Sequence, residues 1–226
     1  MDDSKIACVF GASGLVGTHL VELMSEDKHY KKILVANRSH IAYHSAKIKE
    51  IIVDFDKLDE NPDLFQVDEV FVCIGTTIKK AGSKEKFKQI DLKLPEKIAQ
   101  KANQHTVDFF CLISSLGADA NSSNFYSKTK GQAEDVISKL DIKHIYFVRP
   151  SLLLGDRDEN RTGESIAQWF MKRLNFLFAG PLKKYKAIEA ESVASAMLYL
   201  ANHQPNKRVI SSDELHQFST KYFQHE

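Results

Sequence analysis

The stretch Lys5-Ile6-Ala7-Cys8-Val9-Phe10-Gly11-Ala12-Ser13-Gly14-Leu15-Val16-Gly17 carries the reading of the fold. Its first six residues form an apolar run of strand length. Residues 14–25 then repeat apolar side chains at Leu15, Leu20, Val21, Leu23 and Met24, one face of a helix. Glycines at 11, 14 and 17, set between a strand and a helix, are the pattern that a dinucleotide site requires. The backbone turns tightly at Gly11 and approaches a pyrophosphate at Gly14. At Gly17 the helix meets the strand with no side chain between them. The helix N-terminus offers N–H groups and a positive dipole end to the phosphates. The whole loop, Gly11, Ala12, Ser13, Gly14, Leu15, Val16 and Gly17, is therefore a candidate cofactor-binding segment.

Outward from this loop, short apolar runs alternate with longer amphipathic stretches. Further strands are expected at 32–36, 49–53, 68–74, 107–113 and 144–148. Helices are expected at 83–104, kinked or restarted at Pro95, and at 127–140. This alternation implies an α/β fold, a doubly wound Rossmann-type parallel sheet with helices on both faces. The strands are continuous apolar runs, as sheets buried on both sides demand. Ligands of such sheets bind outside the carboxyl ends of the strands, so the strand ends map the site. The second strand ends Ala36-Asn37-Arg38. An NAD(H) site usually places Asp or Glu there; a guanidinium instead favours NADP(H), because Arg38 can pair with a 2′-phosphate and stack on adenine. Asp54 and Phe55, ending the third strand, are expected beside the adenine. Cys73, Ile74, Gly75 and Thr76, ending the fourth, are expected along the cofactor.

The 226 residues are 43% hydrophobic and 27% charged, which fits an ordinary globular chain. They read as a single domain, with 151–226 as a small lid or substrate-side appendage. The formal net charge of +1 gives no electrostatic case for nucleic acid or an anionic membrane as partner. No run approaches the about 18 apolar residues of a membrane span, and no signal peptide is visible. Cys8, Cys73 and Cys111 each sit inside an apolar strand. Their odd number and wide spacing argue against disulfides or a zinc site. Core packing in a reducing cytosol, hence a cytoplasmic location, is the expectation. After Pro150 the pattern weakens. A charged loop at 155–163 carries Arg157 and Arg161, able to grip an anionic substrate. An aromatic, amphipathic stretch at 164–178 carries Trp169, Phe170, Phe176 and Phe178. A helix at 191–202, a strand at 207–210 and a helix at 211–223, capped by Ser211 or Ser212, complete the chain.

Ser114-Ser115, Tyr126 and Lys130 form a second constellation. Tyr126 and Lys130 are spaced i, i+4 and share a helix face. An ammonium near a phenol favours the phenolate, so the tyrosine can pass a proton to or from a substrate oxygen. A serine at the neighbouring strand end can hydrogen-bond the same oxygen. With the glycine loop, these residues resemble the short-chain dehydrogenase/reductase superfamily in its extended or atypical branch. The carrying motifs are Gly11-x-x-Gly14-x-x-Gly17, Ser114-Ser115, Tyr126-x-x-x-Lys130 and Arg149-Pro150. The chain looks most like the Tat-interacting-protein-like NADPH-binding oxidoreductases. That likeness rests on Gly75-Thr76-Thr77, Lys80-Ala81-Gly82, Ile90-Asp91, 112–119, 122–126, 130–134 and 147–154, and it spans roughly residues 5 to 200.

The resemblance implies NADP(H) and hydride transfer. It implies Tyr126 as proton donor or acceptor, and Lys130 as a partner of the nicotinamide ribose as well. Ser115 is the substrate-polarising hydroxyl, with Ser114 the alternate. Gly75 and Thr76 line the ribose side, and Pro150, Ser151 and Leu152 lie by the nicotinamide. The expected function is an NADP(H)-dependent oxidoreductase acting on a small carbonyl or alcohol. The alternative is a non-catalytic binding protein that responds to NADP(H), using the aromatics of 164–178 as a partner surface. Sugar-nucleotide epimerase chemistry would need a larger C-terminal part. The substrate stays unidentified, and a homodimer stays open.

Overall fold

The computed structural model describes residues 4–155 and 185–225. Among the described residues, the strands β1 (Lys5–Phe10), β2 (Tyr30–Asn37), β3 (Ile48–Ile52), β4 (Glu69–Val72), β5 (Phe109–Ile113), β6 (His144–Arg149) and β9 (Val209–Ser211) form one seven-stranded sheet. All its pairings are parallel, and its order is β3-β2-β1-β4-β5-β6-β9. The order reverses between β1 and β4, which opens the crevice where doubly wound sheets bind ligands. A second, two-stranded parallel sheet pairs β7 (Leu153–Leu154) with β8 (Ile188–Glu189).

Alternation along each strand splits the core in two. Ala7 and Val9 of β1 face one cluster; Cys8 and Phe10 face the other. The first is closed by α1 (Leu15–Glu26), α6 (Ala190–His203) and α7 (Ser212–His225). It takes in Val16, Leu20, Met24, Val193, Met197 and Leu215. The second is closed by α4 (Leu94–Gln104), α5 (Phe125–Ile137) and two short 3-10 turns at Phe55–Glu60 and Pro62–Phe65. At the amino ends of the strands, opposite the crevice, buried Glu69 accepts from Lys5 Nζ and from the Tyr30 hydroxyl at 2.7 Å. Burial, then the Glu69 charge, pushes the Tyr30 phenol well above its ordinary range.

The expected strands and helices are present, with displaced ends. The helix expected at 127–140, α5, begins at Phe125, because Asn124 caps it by accepting from Ser127 N–H at 3.1 Å. Tyr126 therefore lies in its first turn. Two short helices, α2 (Ile78–Ala81) and α3 (Lys84–Lys88), precede α4 and are separated by Gly82 at φ +79°. The irregularity expected at Pro95 lies just upstream, as a π-turn over Gln89–Lys93. Pro95 has no N–H for the Asp91 carbonyl four residues back, and its ring crowds that carbonyl, so the turn widens there. The last helix is entered through Ser211, whose N–H donates to Glu214 at 2.9 Å in a capping-box arrangement.

All three cysteines are unpaired; Cys8 and Cys111 are buried and Cys73 is half-buried. Desolvation pushes the Cys73 thiol up to about 12, so it is no thiolate. Arg157, Arg161, Trp169, Phe170, Phe176 and Phe178 lie outside the described residues. No described helix is long and apolar enough to cross a membrane.

Candidate active site

Gly11, at φ +83°, turns the chain at the end of β1. A Cβ there would stand 2.8 Å from the Cys73 carbonyl carbon and from Ile74 N, so the glycine loop lies directly on the end of β4. A Cβ at Gly17 would lie 2.2 Å from the Gly11 carbonyl oxygen, which fixes how closely α1 approaches the loop. Gly14 ends the loop as the N-cap of α1 with no side-chain cap, and no acidic residue sits in the first turn. Ala12, Val16 and Gly17 are buried and Ser13 is exposed. A tight glycine cradle facing an uncapped twelve-residue helix fits a pyrophosphate.

At the end of β2 the two expected residues part ways. Asn37 is buried, and its amide donates to the Tyr43 hydroxyl at 3.0 Å and to Glu50 Oε1 at 2.7 Å. Glu50 also accepts from Ile41 N–H at 2.9 Å and pairs with His40 Nδ1 at 2.5 Å. The Asn37 amide, followed by Ile41 N–H and His40, holds the Glu50 carboxyl below its ordinary value. Asn37 thus organises the loop after β2, and Arg38 is left exposed. Asp54 accepts from Asp56 N–H at 3.0 Å and caps the first 3-10 turn, while Phe55 packs on Phe10 with ring centroids 6.3 Å apart.

The ends of β5 and β6 are stitched together: Ser114 N–H donates to Val148 O at 2.8 Å and Leu116 N–H to Pro150 O at 3.0 Å. The two serines differ sharply. Ser114 is bonded to the Glu134 carboxylate, which also takes Arg149 Nε at 3.0 Å and Arg149 Nη2 at 2.5 Å. The Ser115 hydroxyl is buried with no hydrogen-bond partner among the described residues. A buried hydroxyl without a partner costs about 1–3 kcal/mol, so it suits a site completed by a ligand oxygen. Tyr126 stacks obliquely on Phe87, with centroids 5.4 Å apart. Lys130 is buried; its Nζ sits 2.7 Å from Asp91 Oδ1 and 3.4 Å from the Ile113 carbonyl. A Cβ on Gly75 would stand 3.7 Å from the same Nζ, so the end of β4 adjoins this ammonium. Ser151 spends its hydroxyl on Lys186 O and accepts from Ser212 at 3.0 Å; Leu152 is exposed.

Three residues that shape this site, Asp91, Glu134 and Arg149, stood in the motifs that carried the family likeness but were given no site role of their own. The available signal was their company. Glu134 follows Lys130 by one helical turn on the same face, and Arg149 closes the sixth strand. Glu134→Ala would strand the Arg149 guanidinium and the Ser114 hydroxyl. The expected cost is about 3 kcal/mol, a melting temperature lower by roughly 6–12 °C. A melt within error of wild type would show that the bridge holds nothing.

A parallel sheet of this order, with a glycine cradle on β1 and a serine, tyrosine and lysine around β5 and α5, defines a dinucleotide-binding Rossmann protein. Residues 11–204 match the model of a family described as NAD(P)H-binding, and the chain belongs to that family. Within it the chain is an atypical short-chain dehydrogenase/reductase of the HTATIP2 type. It is 33% identical over 199 residues to protein HTATIP2 of Rattus norvegicus, covering 86% of this chain and 80% of that one. It is 37% identical over 166 residues to the mitochondrial protein FMP52 of Candida albicans, covering 71% and 72%. A second FMP52, from Meyerozyma guilliermondii, is 31% identical over 225 residues, covering 96% of both chains. The fold is shared with UDP-glucuronic acid 4-epimerase of Bacillus cereus in complex with NAD, at TM-score 0.68 and 14% identity, over 92% of this chain and 78% of that one.

The mitochondrial names of the FMP52 relatives overturn the expectation of a cytoplasmic location. Unpaired cysteines separate reducing from oxidising surroundings and do not distinguish one reducing compartment from another.

Proposed function

We propose that this protein is an NADP(H)-dependent oxidoreductase that interconverts a small carbonyl compound and its alcohol. The observation that carries the reading is the buried, unpartnered Ser115 hydroxyl, two residues beyond the carbonyl that Lys130 touches. Bound in the β1/β4 crevice, a nicotinamide would supply or accept a hydride. The chain's own part is proton handling. Ser115 donates to the substrate oxygen, Tyr126 gives or takes the proton at that oxygen, and Lys130 stabilises the phenolate side of the exchange.

The preference for NADP(H) is supported at the end of β2. The described end of β2, Ala36-Asn37-Arg38, carries no carboxylate to bond a ribose 2′-hydroxyl, and Glu50 beside it is occupied by Asn37, Ile41 and His40. Arg38 is exposed and can pair with a 2′-phosphate. Replacing Arg38 with alanine is expected to weaken NADPH roughly tenfold to a hundredfold, with NADH little changed. Fluorescence titration of both cofactors measures this. Equal wild-type affinities for NADPH and NADH would remove the NADP(H) assignment. A screen of small aldehydes and ketones with NADPH tests the activity itself.

A further inference from the structure

β3 is an outer strand of the sheet, paired with β2 on one side only. In a parallel ladder, alternate residues turn their N–H and C=O groups to the same neighbour. Ile33 N–H donates to Lys47 O and Val53 N–H to Asn37 O, both at 2.8 Å, which sets the phase. Lys47, Lys49, Ile51 and Val53 therefore turn toward β2, and Ile48, Glu50 and Ile52 turn their backbone groups outward. Ser45 O takes up the Ile48 N–H at 3.1 Å; the Glu50 and Ile52 N–H groups meet no acceptor among the described residues. Proteins commonly blunt such an edge with a bulge or a proline. β3 pairs with β2 without a register shift and contains no proline, and Ile52 is 53% exposed. The Glu50 side chain, bonded to Asn37, Ile41 N–H and His40, fixes the strand before any partner arrives.

Beside this edge runs a groove of about 550 Å³ between β3 and the 3-10 turns, lined by Lys49, Ile51, Glu60, Pro62, Asp63 and Leu64. Ile51 and Leu64 give it an apolar lining, and its rim is acidic. Asp59 is neutralised by Lys97 and Lys101, whereas Glu60 approaches Lys57 only to 3.9 Å and Asp63 is exposed. We propose that β3 and this groove form a docking site for an extended, basic segment of a partner protein, bound as a further strand of the sheet. The site is separate from the β1/β4 crevice and does not rest on the oxidoreductase reading. The outward N–H and C=O groups supply main-chain bonds. Alternate side chains of the added strand face the groove, where Ile51, Pro62 and Leu64 receive apolar groups and Glu60 and Asp63 pair with lysine or arginine. A second copy of this chain is the poorer occupant. Joining two β3 edges antiparallel sets one acidic rim beside another, and like charges across a strand pair repel.

The probe is an acetylated heptapeptide alternating lysine and valine, titrated into the full chain and followed by NMR. The Glu50 and Ile52 amides are expected to shift and to exchange more slowly with solvent. Those of Lys49 and Ile51, already turned to β2, are expected to keep their exchange rates. The same peptide carrying N-methyl groups on alternate residues loses its donors and is expected to bind about tenfold more weakly. Ile52→Pro removes an outward donor at no cost to the β2 ladder and is expected to weaken binding about tenfold, with the melting temperature near wild type. Glu60→Lys combined with Asp63→Lys is expected to weaken the basic peptide in low salt and to favour a glutamate–valine heptapeptide instead. No binding of the basic peptide to wild type would overturn the proposal, as would shifts lying outside 48–52 and 60–64. Equal binding of the N-methylated peptide would overturn it too, whether or not Ile52→Pro folds. A wild-type dimer that Ile52→Pro dissociates would assign the edge to a second copy and overturn the choice of a basic partner.

Discussion

Tyr126→Phe lowers turnover by roughly 10²–10⁴-fold while NADPH binding stays near wild type. The substitution removes one oxygen. The ring remains on Phe87, with centroids 5.4 Å apart in the wild-type protein, and position 126 stays in the first turn of α5 below its Asn124 cap. Nothing in that packing uses the hydroxyl, so a loss of activity in the folded variant reports proton transfer and not architecture. Lys130 keeps its bond to Asp91, and Ser115 keeps its position at the strand end. Steady-state rates on an identified substrate, with NADPH titrated in parallel, give the comparison. Wild-type turnover in the phenylalanine variant would end the assignment of Tyr126 as the proton donor or acceptor.

Gly131→Ala is the second large effect, and its origin is steric. A Cβ at position 131 would lie 2.2 Å from Ala120 N, 2.3 Å from the Asp119 carbonyl carbon and 2.6 Å from Asp119 N. All three are backbone atoms, so no side chain can swing aside. The loop in the way is itself tied down: Ala118 N–H donates to Ser115 O and Asp119 N–H to Ser127 O, both at 3.1 Å. Either α5 backs away or the loop does, and both movements separate Ser115 from Tyr126 and Lys130. Overpacking of this kind costs about 1–3 kcal/mol, a fall of roughly 2–12 °C in melting temperature. The catalytic loss is expected to be larger still, because a shift near 1 Å costs about a hundredfold in rate. A variant that melts and turns over like wild type would show that the loop yields freely.

Much of the fold was legible because the signals were local. A strand run followed by glycines at 11, 14 and 17 constrains the backbone within a few residues of itself, and the sheet indeed reverses its order beside that loop. Element ends slipped where a cap or a proline acted at short range. Asn124 moved the start of α5, and the crowding of Pro95 against the Asp91 carbonyl produced the π-turn. The grouping of glycine loop, strand ends and serine, tyrosine and lysine could be anticipated, since parallel sheets gather their carboxyl ends on one side.

Periodicity and strand-to-helix junctions are properties of neighbouring residues, so the Rossmann architecture, the crevice and the residue types around it were open to a local reading. How those residues divide their bonds follows from the folded arrangement alone. Ser114 is committed to Glu134, twenty positions away, and Ser115 is therefore the free hydroxyl. Asn37, read from the sequence as a cofactor ligand, turns its amide inward to Glu50 and leaves Arg38 outside. Lys130 finds Asp91 across the gap between two helices. A hydrogen-bonding group is equally able to face a ligand or a neighbour. Which it does depends on crossovers that bring together residues distant in the chain, and no local pattern records that choice.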